Sequence, residues 1–217
     1  MRISAIPVLG IIGGIGSGKS SLPRSVRKFR LGILDADSIA HDLLREPEQI
    51  GRLVQEFGTG IRGSDGQISR GHLAEIVFGE RPEQLMARQK LEAILHPAVR
   101  KECLRQIQTV PQDVDFIILD AALLLEAGWT DLCDALVFVD TALPLRQARV
   151  SASRGWSSGE LERRERCQWP VDRKREFADF VIDNSGAAEA SGRQFEEALQ
   201  AVQTVFQRPG AAVSEDS

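Results

Sequence analysis

The run Gly13-Gly14-Ile15-Gly16-Ser17-Gly18-Lys19-Ser20 constrains this chain more than any other stretch. It follows the apolar segment Val8–Ile12 directly and fits G-x-x-x-x-G-K-[ST] at every fixed position. Glycines at those spacings let consecutive backbone N–H groups turn inward around an anion. A helix starting behind them would add its positive end. The arrangement requires a buried strand, a tight turn and a helix, so a helix is expected from about Gly18, distorted by Pro23. Gly14 to Ser21 then form a nucleotide phosphate cradle, with Lys19 reaching the β- and γ-phosphates and the Ser20 hydroxyl ligating Mg²⁺. The alternative, a glycine-rich turn with no ligand, does not explain why every fixed position of the motif is filled.

The rest of the chain alternates strand and helix signals. Residues 31–37, "LGILDAD", read as a second strand ending in acids, and residues 38–57 carry helical spacing. A glycine-rich loop follows, and Ser69 is placed to cap a helix from Arg70. Residues 82–108 read as helical, with His96-Pro97 expected to break or kink them. Buried-strand runs lie within 115–126, 134–140 and 179–184, and helical segments at Pro144–Arg154, 160–175 and 193–206. This order implies a parallel sheet covered by helices on both faces. Residues 208–217 read as a disordered tail.

Several function classes are disfavoured. No stretch approaches 18 uninterrupted apolar residues, as a membrane span would require. The apolar N-terminus lacks a charged region or cleavage site, so it reads as a strand and not as a signal peptide. Cys103, Cys133 and Cys167 are odd in number and form no CxxC pair, as expected of incidental thiols in a reducing cytoplasm. A net charge of −4 gives no nucleic-acid-binding surface. Within that acidic average, residues 146–175 hold nine Arg or Lys against four Asp or Glu. No N-K-x-D base-reading motif supports a GTPase, and no ATPase signature supports a transporter or motor. A basic window suits a kinase, whose lid offsets transition-state charge and excludes water, although a solvated charged helix would have the same composition. Asp35 and Asp37 end the second strand. If that segment is extended, both point the same way, one toward Mg²⁺ or its waters and one toward an acceptor hydroxyl. Asp37 or Ser38 could equally cap a helix.

In order along the chain, "GGIGSGKS", "LGILDADSIAH", "LEAILHPAV", "LDAALLLE" and the late "ADFVIDNSG" resemble the dephospho-CoA kinases, over about residues 9–186. The resemblance implies an adenylate-kinase-like three-layer α/β/α P-loop kinase fold with a five-stranded parallel sheet. A single domain would span 1–207, with an acceptor-binding helical region at about 38–110 and a lid at about 146–175. It implies transfer of the ATP γ-phosphoryl to the ribose 3′-hydroxyl of dephospho-CoA, the last step of coenzyme A biosynthesis. Asp37 becomes the base for that hydroxyl, and Asp35 a holder of the acceptor or the metal. His41 and His96 fall near the acceptor, although a histidine before proline can also mark a helix break. Arg154, seven positions after Gln147, matches a lid arginine, and Arg164 and Gln168 match the lid's R-x-x-x-Q element. Asn184 lies where the family approaches the adenine of ATP.

The chain departs from the family pattern at Ser21 (usually Thr), at Ala122 and Leu125 in the family's P-L-L-F-E, at Val150 where a lid arginine is expected, and at Pro23. Two rivals stay open: another small nucleoside or nucleotide kinase of this fold, and a non-catalytic ATP-dependent switch. The protein is expected to bind neither nucleic acid nor membrane, and to be a monomer or a weak homo-oligomer.

Overall fold

The computed structural model describes residues 3–79 and 81–207, so the expected disordered tail at 208–217 lies outside the described residues. Two compact units form. One holds the described residues up to Leu34 and from Ile107 onward; the other is Asp35–Gln106.

In the first unit, five strands make one sheet: β1 (Val8–Ile12), β2 (Leu31–Asp35), β3 (Phe116–Asp120), β4 (Ala135–Asp140) and β5 (Phe180–Asp183). Their order is β2-β3-β1-β4-β5, and β1 pairs in parallel with β3 and β4, as β4 does with β5. Every residue of β1 and β3 is buried, which is why both read as uninterrupted apolar runs. Helix α8 (Ala188–Phe206) lays Phe195, Ala198, Leu199 and Val202 on one face, at helical spacing, into a core that includes Leu9, Ile11, Phe116 and Val137. Burying a side chain of the size of Phe195 or Leu199 contributes roughly 1.5–3 kcal/mol.

The expected helix behind the glycine loop does not form. Leu22 N–H donates to Gly18 O at 3.0 Å, and the chain then makes one 3-10 turn, Leu22–Ser25. Pro23 has no N–H to give Lys19 O, so the α-helical ladder stops before it can propagate. Arg24 N–H bonds Ser21 O, and Val26 at ψ 133° is already extended. Glu196 of α8 takes over the freed donors, accepting from Arg27 N at 2.6 Å and Lys28 N at 3.0 Å.

The second unit is helical: α1 (Ala36–Leu43), α2 (Pro47–Phe57), α3 (Arg70–Val77) and most of α4 (Pro82–Thr109). The single helix expected over 38–57 is two, because Pro47 opens α2 and holds Glu46 extended at ψ 131°. Ser69 caps α3 as expected, its side chain accepting from His72 N. The break expected at His96-Pro97 is absent: α4 runs through Pro97, whose missing N–H leaves the Ala93 carbonyl without its usual helical donor. Ile50, Leu53, Ile61, Ile68, Leu73 and Val77 form this unit's own core.

In α4, Cys103 is fully buried, and that burial pushes its thiol up to about 11. At pH 8 the folded chain is therefore expected to alkylate at Cys133 and Cys167, both partly exposed, and to leave Cys103 intact by peptide mass mapping.

Helices α5 (Leu143–Arg154), α6 (Ser158–Glu165) and α7 (Val171–Glu176) complete the first unit. The one charged helix expected over 160–175 is interrupted between α6 and α7, where Pro170 begins the new turn as its N-cap. Among the described residues no helix is long and apolar enough to cross a membrane.

Candidate active site

At the carboxyl end of central strand β1 the chain turns through Gly13–Ser20, where ligands collect in open α/β sheets. Gly18 has φ +93°, and a Cβ there would lie 2.3 Å from Asn184 Nδ2, so only glycine fits. Asn184, just after β5, is buried and donates from Nδ2 to Ser17 O at 2.7 Å. Arg149 Nη1 and Thr141 Oγ1 each donate to the same carbonyl at 3.0 Å, and Arg149 Nη2 donates to Asn184 O at 2.7 Å. Three side chains, from the ends of β4 and β5 and from Arg149 in α5, thus hold the loop from behind.

Inside the turn, Lys19 Nζ donates to Gly13 O and Gly14 O, both at 3.0 Å. The ammonium lies across the loop's own carbonyls, over the concavity an anion would enter. Ser20 Oγ donates to Asp120 Oδ2 at 2.5 Å, joining the end of the loop to the end of β3. Asp120 is buried. A hydroxyl and a carboxylate at that separation are the hard oxygen donors that a cation such as Mg²⁺ takes beside nucleotide phosphates. Asp120 is absent from the residues expected at the site, although an apolar strand ending in an acid is a signal for it.

A cavity of about 480 Å³ opens against the loop, lined by Gly14, Glu165, Arg166, Gln168, Trp169 and Lys174 among others. Lys174, only 2% exposed, is buried in its wall. Its ammonium pairs with Glu126 Oε1 at 3.0 Å, donates to Gln168 Oε1 at 2.9 Å and reaches Ala122 O at 3.4 Å. Glu126 Oε1 also accepts from Trp169 N at 2.7 Å. Sequence reasoning missed Lys174 and Glu126, because only tertiary packing marks a buried lysine among eight other cations as different.

The sequence model of the family described as dephospho-CoA kinase matches residues 7–190. The chain belongs to the dephospho-CoA kinase family. The dephospho-CoA kinase of Carboxydothermus hydrogenoformans is 38% identical over 197 residues, covering 90% of this chain and 94% of that one. Among solved structures, TT1252 from Thermus thermophilus superposes with a TM-score of 0.73 at 34% identity, over 90% of this chain and 97% of that one. Dephospho-CoA kinase from Campylobacter jejuni, at 21% identity, shares the fold with a TM-score of 0.58 over 92% of this chain and 98% of its own. Membership makes the chain a kinase of P-loop fold, with ATP as the substrate its phosphate loop serves.

The remaining family positions divide between the two units. In the first, Arg154 is exposed at the end of α5, its guanidinium 4.7 Å from the Trp156 ring centre. Arg164 lies 4.3 Å from that ring and donates from Nε to Glu160 at 2.7 Å. One indole therefore carries both arginines. Arg149, one position before the departure at Val150, is held against the phosphate loop, as is Arg146. Ser21 keeps a hydroxyl that donates to Gly18 O at 2.8 Å.

In the second unit Asp35, not Asp37 or Ser38, is the N-cap of α1, and its Oδ1 accepts from Ser38 N at 3.0 Å. Asp37 is exposed in the helix's first turn, so the two carboxylates do not share an extended segment as expected from the sequence. His41 lies 3.4 Å from Arg45 Nη2 in the last turn of α1. His96 is half-buried in α4, and that burial lowers its pKa against the pull of Glu92, leaving the imidazole neutral at pH 7.

Proposed function

We propose that this chain transfers the γ-phosphoryl group of ATP to the ribose 3′-hydroxyl of dephospho-CoA, giving coenzyme A and ADP. The observation that carries this reading is the family match across residues 7–190, which spans both the phosphate loop and the acids Asp35 and Asp37. Gly14 to Ser21 bind the ATP phosphates through backbone N–H groups, and Lys19 swings from the loop carbonyls onto the β- and γ-phosphates. Ser20 and Asp120 would hold Mg²⁺, which when bound supplies positive charge to the phosphoryl oxygens. Asp37 orients the acceptor hydroxyl and takes its proton, while Asp35, His41, His96 and Arg164 bind the acceptor. Arg154 offsets charge on the group in transit, and Asn184 supports the nucleotide end of the loop. The cytoplasm as compartment and a monomer or weak homo-oligomer belong to the same reading.

An ADP-release assay tests it with dephospho-CoA, nucleosides and nucleoside monophosphates as acceptors. ADP released with dephospho-CoA, and coenzyme A recovered as product, is the expected result. Release with a nucleoside and none with dephospho-CoA would replace the acceptor. A second reading, an ATP-dependent switch without transfer, draws on the missing helix behind the phosphate loop. Calorimetric titration in which ATP binds and dephospho-CoA does not would favour it.

A further inference from the structure

Ile15 forms the apex of the phosphate loop, and both of its backbone polar groups are held from outside the loop. Its N–H donates to Glu165 Oε1 at 3.2 Å, and its carbonyl accepts from Arg146 Nη1 at 3.2 Å. Arg146 and Glu165 are ion-paired with each other, so two side chains and one residue's backbone close a ring. The Arg146 side chain is 7% exposed and that of Glu165 21%, which puts the pair largely out of water. Arg146 Nε is fixed in turn by Thr141 O at 3.1 Å, at the root of α5. Gly14 makes room for the arrangement, since a Cβ there would lie 2.7 Å from Arg146 Nη1.

We propose that Arg146 and Glu165 are a positioning pair that sets the apex of the phosphate loop for the γ-phosphate end of ATP. The proposal rests on the reading of the chain as an ATP-dependent kinase. Neither side chain needs to touch the nucleotide. Loop N–H groups stabilise transferring charge only if they already converge when the nucleotide arrives, and a bracket on both sides of Ile15 provides that order. The planar guanidinium reaches two carbonyls and a carboxylate from nitrogens spread across one rigid fork, a span that the single nitrogen of a lysine ammonium does not have. Glu165 ends α6, in the basic window, so the same contact ties the lid segment to the shape of the loop. Lifting α6 would release the Ile15 N–H and leave Arg146 without its counter-charge.

The test measures dissociation constants for a fluorescent ATP analogue, steady-state constants with dephospho-CoA, and thermal midpoints. The variants are Glu165→Gln, Arg146→Gln, Arg146→Lys and the double Arg146→Gln/Glu165→Gln. Glu165→Gln is expected to weaken nucleotide binding and raise KM for ATP about tenfold, with KM for the acceptor within about twofold. The double variant is expected to bind nucleotide no worse than Arg146→Gln, because the pair acts as a unit. Arg146→Lys is expected to recover most of the thermal midpoint and little of the ATP affinity. Unchanged nucleotide affinity in Glu165→Gln would overturn the proposal, as would affinity and midpoint recovering together in Arg146→Lys. If Arg146→Gln fails to fold, the isosteric change at partly exposed Glu165 still decides the matter. If the wild type does not phosphorylate dephospho-CoA, the functional reading fails, and the nucleotide titration still reads the pair.

Discussion

Lys19→Ala is expected to lower phosphoryl transfer on the order of 10³-fold, because it removes a preorganised charge from the point where charge moves. The structure shows what the side chain does before nucleotide binds. Nζ lies 3.0 Å from two consecutive loop carbonyls, Gly13 O and Gly14 O. A cation held there cancels the carbonyl dipoles that would otherwise repel an incoming phosphate. Alanine therefore loses twice: the loop's throat becomes more electronegative in the free state, and the γ-phosphate loses its partner in the bound one. Lys19→Met separates these from packing, since it keeps most of the unbranched stem without the charge, and it is expected to be as impaired as alanine. Nucleotide affinity and initial rate should fall together in both variants. A Lys19→Met enzyme within about tenfold of wild type would remove Lys19 from the catalytic machinery.

Much of this architecture could be read from residue order alone, and the failures have physical causes. Buried parallel strands are near-continuous apolar runs, so β1, β4 and β5 fell within a residue of their expected places, and β3 takes up the first part of the longer run expected at 115–126. The glycine loop was legible because its chemistry is local. Misreadings came where a proline competed with a pattern. Pro23 defeated the helix that the loop motif leads one to expect, and Pro47 split a helical period in two. Pro97 sits inside the 28-residue α4 and did neither. An interior proline costs roughly 3 kcal/mol, which the 28-residue α4 sustains and a one-turn helix does not. The site's supporting groups were the least legible. Arg146, Arg149, Glu165 and Lys174 look like four members of a solvated charged window. Only the fold buries Arg146 and Lys174 while leaving Arg154 and Arg163 exposed. Sequence spacing cannot tell an arginine that brackets a peptide from one that faces water.

Asp37→Asn is the companion experiment, expected to cost roughly 10²–10⁴-fold in turnover with dephospho-CoA while ATP binding stays near wild type. The substitution is close to isosteric, so the loss can be assigned to proton transfer if the fold survives, and the local structure predicts that it does. The cap of α1 is Asp35, whose carboxylate holds Ser38 N at 3.0 Å and is untouched by the change. Asp37 adds a favourable charge near the helix N-terminus, worth about 0.3–1 kcal/mol at an exposed position. Asp35→Asn supplies the contrast. It keeps an oxygen able to cap the helix, and if Asp35 only binds the acceptor or metal, it should raise KM more than it lowers kcat. The two aspartates, one residue apart, are thus expected to fail in different constants. Near-normal turnover in Asp37→Asn would sink the base assignment. Equal losses of kcat in both variants would mean that the pair acts through the fold of α1 and not through the proton.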